Sequence, residues 1–340
     1  MDKKKYVALK PFNNRIYYKN GIFDKDIGIQ ALTYSRLKKY LEKSNIYLNT
    51  LDIRSDKELI RQVYFDIPYP FEIIRWFKLL TNIKKPTLFT FEPPIVNPFN
   101  YMKILHSFFD KIYTWNDNLV DNKKYFKFFF PNMRSNLSQK EFPFKSKKLL
   151  VLINTNWLPI KLFEFLSNAE ELYTERIKAI DFFEKHCLND FDLYGKGWNQ
   201  PERFSLRQRL FGFKKYRVYR GQVIYKEKIA ILSRYKFCIA FENSSVPGFI
   251  SEKLFDCFKA RCVPIYLGAQ NVKKYIPDEC YINFNNFKNY DHLLHFLQSM
   301  DNVNYQRYLD CAKSLMGDKR FTNRWFEKGF QEIFLKAIHS

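Results

Sequence analysis

Glycine is scarce in this chain, 10 residues among 340, and none of them completes a phosphate cradle. Gly195-Lys196-Gly197 begins like a dinucleotide fingerprint, but the third glycine is missing and no P-loop pattern occurs. The pair reads instead as a tight turn at a strand end. Cysteines number six, at 187, 238, 257, 262, 280 and 311, and none forms C-x-x-C. Their spacing fits neither a zinc site nor a disulfide framework and is compatible with a reducing compartment. No stretch approaches the roughly 20 apolar residues that span a bilayer. The opening MDKKKYVALKPFNNR is basic but has no apolar core, so no signal peptide is expected. Acidic residues are outnumbered, 35 against 57 Lys+Arg, for a net charge of +22. Such a charge steers anionic partners: nucleic acid, an anionic membrane or a phosphorylated substrate. No basic block exceeds Lys3-Lys4-Lys5, so a nucleic-acid-binding tail is not expected.

What is present is globular: 46% hydrophobic and 27% charged residues, in a chain long enough for two domains. The 36 Phe and 23 Tyr read as a coding-composition bias rather than an aromatic-stacking function. The most informative stretch runs from Tyr235 to Phe287. Phe237–Phe241 (FCIAF) is an apolar run too short for a helix, hence a strand buried on both faces. It ends at Glu242-Asn243-Ser244-Ser245 and Pro247-Gly248. Ser251 is a candidate N-cap for a helix striped by Leu254, Phe255 and Phe258. Val263–Gly268 and Tyr281–Phe284 are further strands. Strand, helix, strand at this spacing is a βαβ unit and demands a parallel sheet. Ligands of such sheets bind beyond the carboxyl ends of the strands, where helix N-termini point. Glu242 and Asn243 at one strand end and Ser251-Glu252-Lys253 at the next helix start therefore share a crevice. An ammonium for phosphate charge, a carboxylate for hydroxyls and an oriented amide suit a nucleotide diphosphate.

Before residue 132 helices and strands alternate without a repeat. Helices are expected over Leu32–Lys43, Phe71–Leu80 and Met102–Phe109, strands over Asn45–Leu51, Gln62–Ile67, Pro86–Phe91 and Lys111–Trp115. Pro93-Pro94 ends the strand of Thr87–Phe91 and leaves Glu92 at its carboxyl tip, a functional position by the same crevice rule. Asp117 and Asp121, in the polar turn after the next strand, are secondary candidates for contacts to a second substrate. Residues 132–148 are polar and aperiodic and read as an interdomain linker. Beyond it come a strand at Leu149–Asn154, a helix at Leu172–His186, a strand at Phe191–Tyr194 and a short helix at Ala230–Tyr235. Helices follow at Asp291–Ser299, Tyr305–Met316 and, as one piece, Phe321–Ile338. Asp190-Phe-Asp192 has the acid-x-acid form of a metal motif, but it enters a strand, and no metal is assigned.

Phe241–Ser244 (FENS), six residues, Ser251–Lys253 (SEK) and then VPIYLG at 263–268 closely resemble the donor-binding signature of the family-10 glycosyltransferases, the α-1,3/1,4-fucosyltransferases. The resemblance extends over 172–198 and 219–228 and reaches loosely into 113–125. It implies an α/β protein of GT-B architecture, two facing Rossmann-like domains with the active site in the cleft. Residues 1–140 would bind acceptor, 141–320 the nucleotide sugar, and a helix at 321–340 would cross back to the first domain. The donor would be GDP-fucose and the acceptor a hydroxyl of an N-acetylglucosamine-containing glycan, joined in α-1,3 linkage with inversion and without a metal. By match to the family, Glu92 is the base and Arg176 a phosphate-binding arginine. Asn243, Phe249, Glu252 and Lys253 complete the donor set, with Glu252 also acting at the anomeric centre. Two positions depart from the family: Phe249 replaces a tyrosine, and Gly248 an acidic residue. Expected partners are GDP-fucose and the glycan, with no nucleic acid and a peripheral contact with anionic membrane. The expected place is the cytoplasm, at the inner face of the membrane, in protein glycosylation or lipopolysaccharide glycan synthesis. The sequon at Asn243 supports it, because a glycan there would block the crevice; another sequon stands at Asn136. Rival expectations are another nucleotide sugar on the same fold, a basic nucleic-acid binder, and a carbohydrate-binding relative without catalysis.

Overall fold

The computed structural model describes residues 4–12, 14–26, 29–53, 59–81, 84–133, 141–201, 210 and 212–339, excepting the side chains of residues 29, 30, 225 and 226. The expected linker at 132–148 includes residues 134–140, and the Asn136 sequon falls among them; both lie outside the described residues. The chain divides into two compact units. Unit 1 comprises Met1–Arg134, Leu162–Asn168 and Arg320–Ser340; unit 2 comprises Ser135–Lys161 and Ala169–Lys319.

Unit 1 is built on strands β1 (Lys5–Lys10), β2 (Ile46–Thr50), β3 (Leu59–Phe65), β4 (Thr87–Thr90), β5 (Ile112–Thr114) and β6 (Tyr125–Lys127). Their order in the sheet is β2-β1-β3-β4-β5-β6, and every pairing is parallel. Helix α1 (Ile29–Glu42) links β1 to β2, and α2 (Ile73–Leu80) follows β3. The central strands are apolar on both faces because both faces are covered. Unit 2 has strands β7 (Lys148–Ile153), β8 (Phe191–Tyr194), β9 (Tyr235–Phe241), β10 (Val263–Leu267) and β11 (Ile282–Asn283), again all parallel, in the order β11-β10-β9-β7-β8. Among its described residues the helices include α4 (Tyr173–His186), α5 (Tyr225–Leu232), α6 (Glu252–Ala260), α7 (Tyr290–Ser299) and α8 (Asn302–Gly317). Helix α3 (Lys161–Ser167) lies mostly in unit 1, with α9 (Lys319–Trp325) and α10 (Glu327–His339). Both sheets share one topology, in which the strand order reverses between the first and third strands. That reversal opens a crevice at the carboxyl ends.

The phenylalanines fill unit 1. Phe330 and Phe334 of α10 lie on the sheet against Phe89 and Phe91, with ring centroids 5.7–5.9 Å apart, and Tyr34 of α1 meets Phe330 at 6.2 Å. Rings at such spacing gain edge-to-face and offset contacts beyond their buried area.

Several expectations change. The helix expected over 321–338 is two helices. The Trp325 carbonyl takes N–H bonds from the Asn132 backbone and side chain, and Gly329 sits so close to the Asn323 and Arg324 carbonyls that a Cβ would collide with them. Met102–Phe109 holds only a 3₁₀ turn at Leu105–Phe108, where the His106 ring bonds the Asn100 carbonyl at 2.9 Å. The helix expected at 230–235 spans Tyr225–Leu232, and β9 starts at Tyr235. Strands β1 and β6 were not anticipated. Cys280 and Cys311 form a disulfide, against the expectation of none; α8 brings Cys311 back to the turn before β11 across 31 residues, a proximity that spacing does not encode. Cys187, Cys238, Cys257 and Cys262 are buried thiols.

Candidate active site

In unit 2 the βαβ unit brings the candidate donor residues Glu242, Asn243, Glu252 and Lys253 to one end of the sheet. Strand β9 ends at Phe241, and the Glu242 N–H still joins the sheet through the Leu267 carbonyl at 2.8 Å. Its side chain is fully buried and accepts from the Ser251 N–H (2.8 Å), the Ser251 hydroxyl (2.7 Å) and the Lys253 ammonium (3.0 Å). A buried carboxylate needs this density of donors. Gly268 makes room for it: a Cβ there would stand 2.6 Å from Glu242 Cγ and 2.5 Å from the Tyr266 hydroxyl. Ser251 occupies the N-cap position of α6 as expected, but its hydroxyl turns to Glu242 and makes no capping bond. Gly248, the departure from the family's acidic residue, has φ +85°, a backbone state that favours glycine.

Arg176 projects from α4 beneath this turn and is 2% exposed. Its Nη2 donates to the Phe241 carbonyl at 2.7 Å and to Asn243 Oδ1 at 2.9 Å. The guanidinium lies over the Tyr173 ring at 4.7 Å, and burial lowers its pKa against the opposing pull of Tyr173, Glu242 and Glu252. Nε and Nη1 are buried with no hydrogen-bond partner. An unsatisfied buried charged donor costs at least about 1–3 kcal/mol, so these nitrogens are a prepared place for anionic oxygens. This is the opposite of an exposed helical arginine paired with Glu171 or Glu175.

Glu252 is exposed to solvent although protein crowds round it. Burial by its surroundings would raise its pKa, but Lys253 and Lys228 outweigh that and hold it at about 2. It is thus a firm carboxylate available to a ligand. Lys228, from the 219–228 segment, bonds the buried Asp256 at 2.8 Å, which also receives Lys259 at 3.1 Å. Phe249 is buried, and its carbonyl accepts from the Tyr266 hydroxyl at 3.3 Å. It acts through packing. Asp192 is ringed by Lys148 (2.6 Å), Arg220 (2.6 Å) and the Tyr235 hydroxyl (2.7 Å). Among the described residues no group of three or more His, Cys, Asp or Glu side chains could hold a metal.

Unit 1 places Glu92 just past β4, half-buried, on a platform that sequence reasoning missed. Asp66 follows β3 with φ +62° and is buried. Its Oδ1 accepts the N–H groups of Phe91 (2.6 Å) and Glu92 (3.1 Å) and the Asn100 amide (2.7 Å). The Tyr101 hydroxyl donates to the Glu92 carbonyl at 2.9 Å. Below them Lys10, at the end of β1 and fully buried, donates to the Phe65 and Asp66 carbonyls at 3.2 and 3.1 Å. Burial pulls the Lys10 pKa down to about 7 against the attraction of Asp66, and burial raises that of Asp66 against Lys10. The missed signal is repetition: Leu9-Lys10, Phe65-Asp66 and Phe91-Glu92 each end an apolar run with a single charge. Asp117 and Asp121, the secondary candidates, both have partners within unit 1. Asp117 bonds Lys127 at 2.7 Å. Asp121 accepts the N–H groups of Lys123, Lys124 and Tyr125, which lower its pKa.

The family model for glycosyltransferase family 10 (fucosyltransferase), C-terminal part, matches residues 161–330, half of the chain. An α-(1,3)-fucosyltransferase of Helicobacter pylori is 33% identical over 98 residues, 29% of this chain and 19% of that protein. A 4-galactosyl-N-acetylglucosaminide 3-α-L-fucosyltransferase of Homo sapiens is 40% identical over 81 residues, 23% of this chain and 22% of that protein. The aligned stretches thus span less than a quarter of either relative. A crystal structure of an α1,3-fucosyltransferase with GDP superposes on 99% of this chain and 91% of its own, with TM-score 0.56 at 16% identity. T4 phage β-glucosyltransferase with UDP-glucose covers 99% of this chain and 100% of its own, with TM-score 0.53 at 13% identity. At such identities the likeness is one of fold, and that fold is GT-B. With the family's own model matched across half of its length, the chain belongs to glycosyltransferase family 10, the fucosyltransferases.

Proposed function

We propose that the protein transfers fucose from GDP-fucose to a hydroxyl of an N-acetylglucosamine-containing glycan, with inversion and in α-1,3 linkage. The observation that carries the donor side is Arg176, a buried guanidinium with two nitrogens left for a ligand at the end of β9. Family membership selects fucose, and the names of the matched relatives supply the acceptor sugar and the linkage. In the proposed reaction the acceptor oxygen forms a bond to the anomeric carbon as the bond from that carbon to the β-phosphate oxygen breaks. The acceptor proton goes to the Glu92 carboxylate, and GDP leaves with the electron pair. Arg176 and Lys253 offset the charge growing on the diphosphate, and the N–H groups opening α6 face the same anion. Glu252, held as a carboxylate, bonds ribose or sugar hydroxyls and favours positive charge at the anomeric centre.

The test is a donor panel with thermal shift and product analysis. GDP should raise the melting temperature far more than UDP or CMP. The product should carry fucose of inverted anomeric configuration at the 3-hydroxyl. Equal stabilisation by UDP would reject the donor, and a 4-linked product would reject the linkage alone.

A cytoplasmic site of action, peripheral to the membrane and serving protein or lipopolysaccharide glycans, is part of the same proposal. It draws on Asn243, whose sequon amide is engaged by Arg176. Such a site requires Cys280 and Cys311 to be thiols in the cell. Alkylation before lysis reads this directly, and a protected pair would reject the compartment.

A further inference from the structure

Helix α2 is turned inside out. In an amphipathic surface helix the apolar stripe faces the core. Here Leu79 is buried, yet Ile73, Ile74, Phe77 and Leu80, at i, i+1, i+4 and i+7, are 59–76% exposed. Phe71, just before the helix, is 76% exposed, and Phe165 of α3 is 82% exposed. The two elements are joined: Phe71 stacks on Tyr69 at 5.4 Å, and Tyr69 stacks on Phe163 of α3 at 5.7 Å. Phe163 then meets Phe99 edge-on at 5.8 Å, so α3 is anchored within unit 1 beside the root of α2. Scattered exposed leucines are ordinary, but a contiguous apolar face of this kind marks an interaction surface.

Charge selects the partner. Glu72 is the sole acidic residue between Phe71 and Thr87, and it is paired with Arg75, whose guanidinium lies 4.1 Å over the Tyr18 ring. The sequence flanking the face therefore carries Lys78, Lys84 and Lys85, the last two exposed. Chemistry narrows it further. Protein interfaces concentrate their affinity in Trp, Tyr and Arg. This face presents Ile, Leu and Phe, side chains without a hydrogen-bonding group, beside lysines. That is the composition of a helix lying in the plane of a bilayer interface, apolar face in the acyl boundary and cations among anionic headgroups.

We propose that α2, with Phe71 and Phe165, seats this protein on an anionic membrane surface. The proposal deepens the peripheral-membrane reading by naming its surface. It rests on nothing in the assignment of fucosyl transfer, so either can fail alone. The test uses the whole chain and sedimentation with vesicles of phosphatidylglycerol and phosphatidylcholine, against vesicles of phosphatidylcholine alone. Wild type should pellet with the anionic vesicles and release at high salt. The pair Ile74→Ser and Phe77→Ser should lower binding at least about tenfold, because two large apolar side chains no longer enter the interface. Lys84→Glu with Lys85→Glu should remove the preference for anionic lipid. Val303→Ser, which removes an equally exposed apolar side chain from α8 in unit 2, should bind as wild type. All variants change exposed positions and should keep the wild-type melting temperature and transfer to a soluble acceptor. Failure of wild type to bind anionic vesicles, or undiminished binding by the serine pair, overturns the proposal. So does a dimer in light scattering that the serine pair dissociates, for the face would then belong to a second copy.

Discussion

The two units share one strand order and place charged residues at the same end of the sheet, yet they use those charges differently. In unit 1 the buried charges at the strand tips bond to backbone groups and an amide around them. Lys10 and Asp66 are buried, and their bonds hold the backbone that carries Glu92. In unit 2 Glu242 and Lys253 are similarly joined, but Arg176 keeps two buried nitrogens without partners. A sheet tip that closes its own hydrogen bonds presents one group in a fixed place. A tip that leaves donors open is shaped for an anion. The first suits a base and the second a diphosphate.

The largest expected effect breaks unit 1's side of this contrast. Glu92→Gln keeps the shape and cannot take a proton, so transfer should fall by roughly two to four powers of ten. GDP affinity by calorimetry should stay as in wild type. Near-normal transfer would place the base elsewhere.

Lys253→Ala and Arg176→Met separate paired from unpaired cations within unit 2. Removing Lys253 leaves the buried Glu242 carboxylate short of its counter-charge, and breaking a buried pair costs about 3–5 kcal/mol. Urea unfolding should show that loss beside weaker GDP binding. Arg176→Met removes a guanidinium that is only half satisfied, so stability should hold or rise while GDP affinity drops about ten- to a hundredfold. If Arg176→Met were the destabilised variant, the guanidinium would be structural.

The Lys10 platform gives a pH signature. Its folded pKa of about 7 lies below the ordinary 10.5, so between those values the unfolded chain binds more protons. Stability from this group should therefore rise with pH from about 7 to about 10. Asp66, raised by burial, contributes stability at acid pH that fades as pH climbs through its folded value. Urea midpoints over the alkaline window should slope upward in wild type more than in Lys10→Met. Parallel slopes would show that Lys10 titrates normally.

The smallest effect is expected from chelator. With Arg176 and Lys253 offsetting phosphate charge, EDTA should leave transfer nearly unchanged. Loss of activity restored by manganese would mean that a metal does this work.

Much of the strand-end crevice of unit 2 could be read from residues 235–268, because apolar runs and the Pro-Gly punctuation act over a few residues. Strand β9, the turn at Glu242 and the start of α6 followed from that pattern, and the match of FENS and SEK led to the family. Glu92 was visible because two prolines mark the end of its strand. Strand β1 escaped because its run from Tyr6 to Leu9 lies in a basic segment, and Asp66 because its mark, one charge ending an apolar run, shows only when compared with Leu9-Lys10 and Phe91-Glu92.

Partner choice is decided elsewhere, by elements far apart in the chain. Ser251 looks like an N-cap until β9 brings Glu242 within 2.7 Å of its hydroxyl. Arg176 is an ordinary helical arginine until the carbonyl of Phe241, 65 residues on, accepts a hydrogen bond from its Nη2. Cys280 and Cys311 read as thiols until α8 folds back. Periodicity reports which face of an element is apolar, and that is a property of neighbouring residues. Burial, hydrogen-bond partners and shifted pKa values depend on what packs against that face, and only the assembled sheet and helices set that.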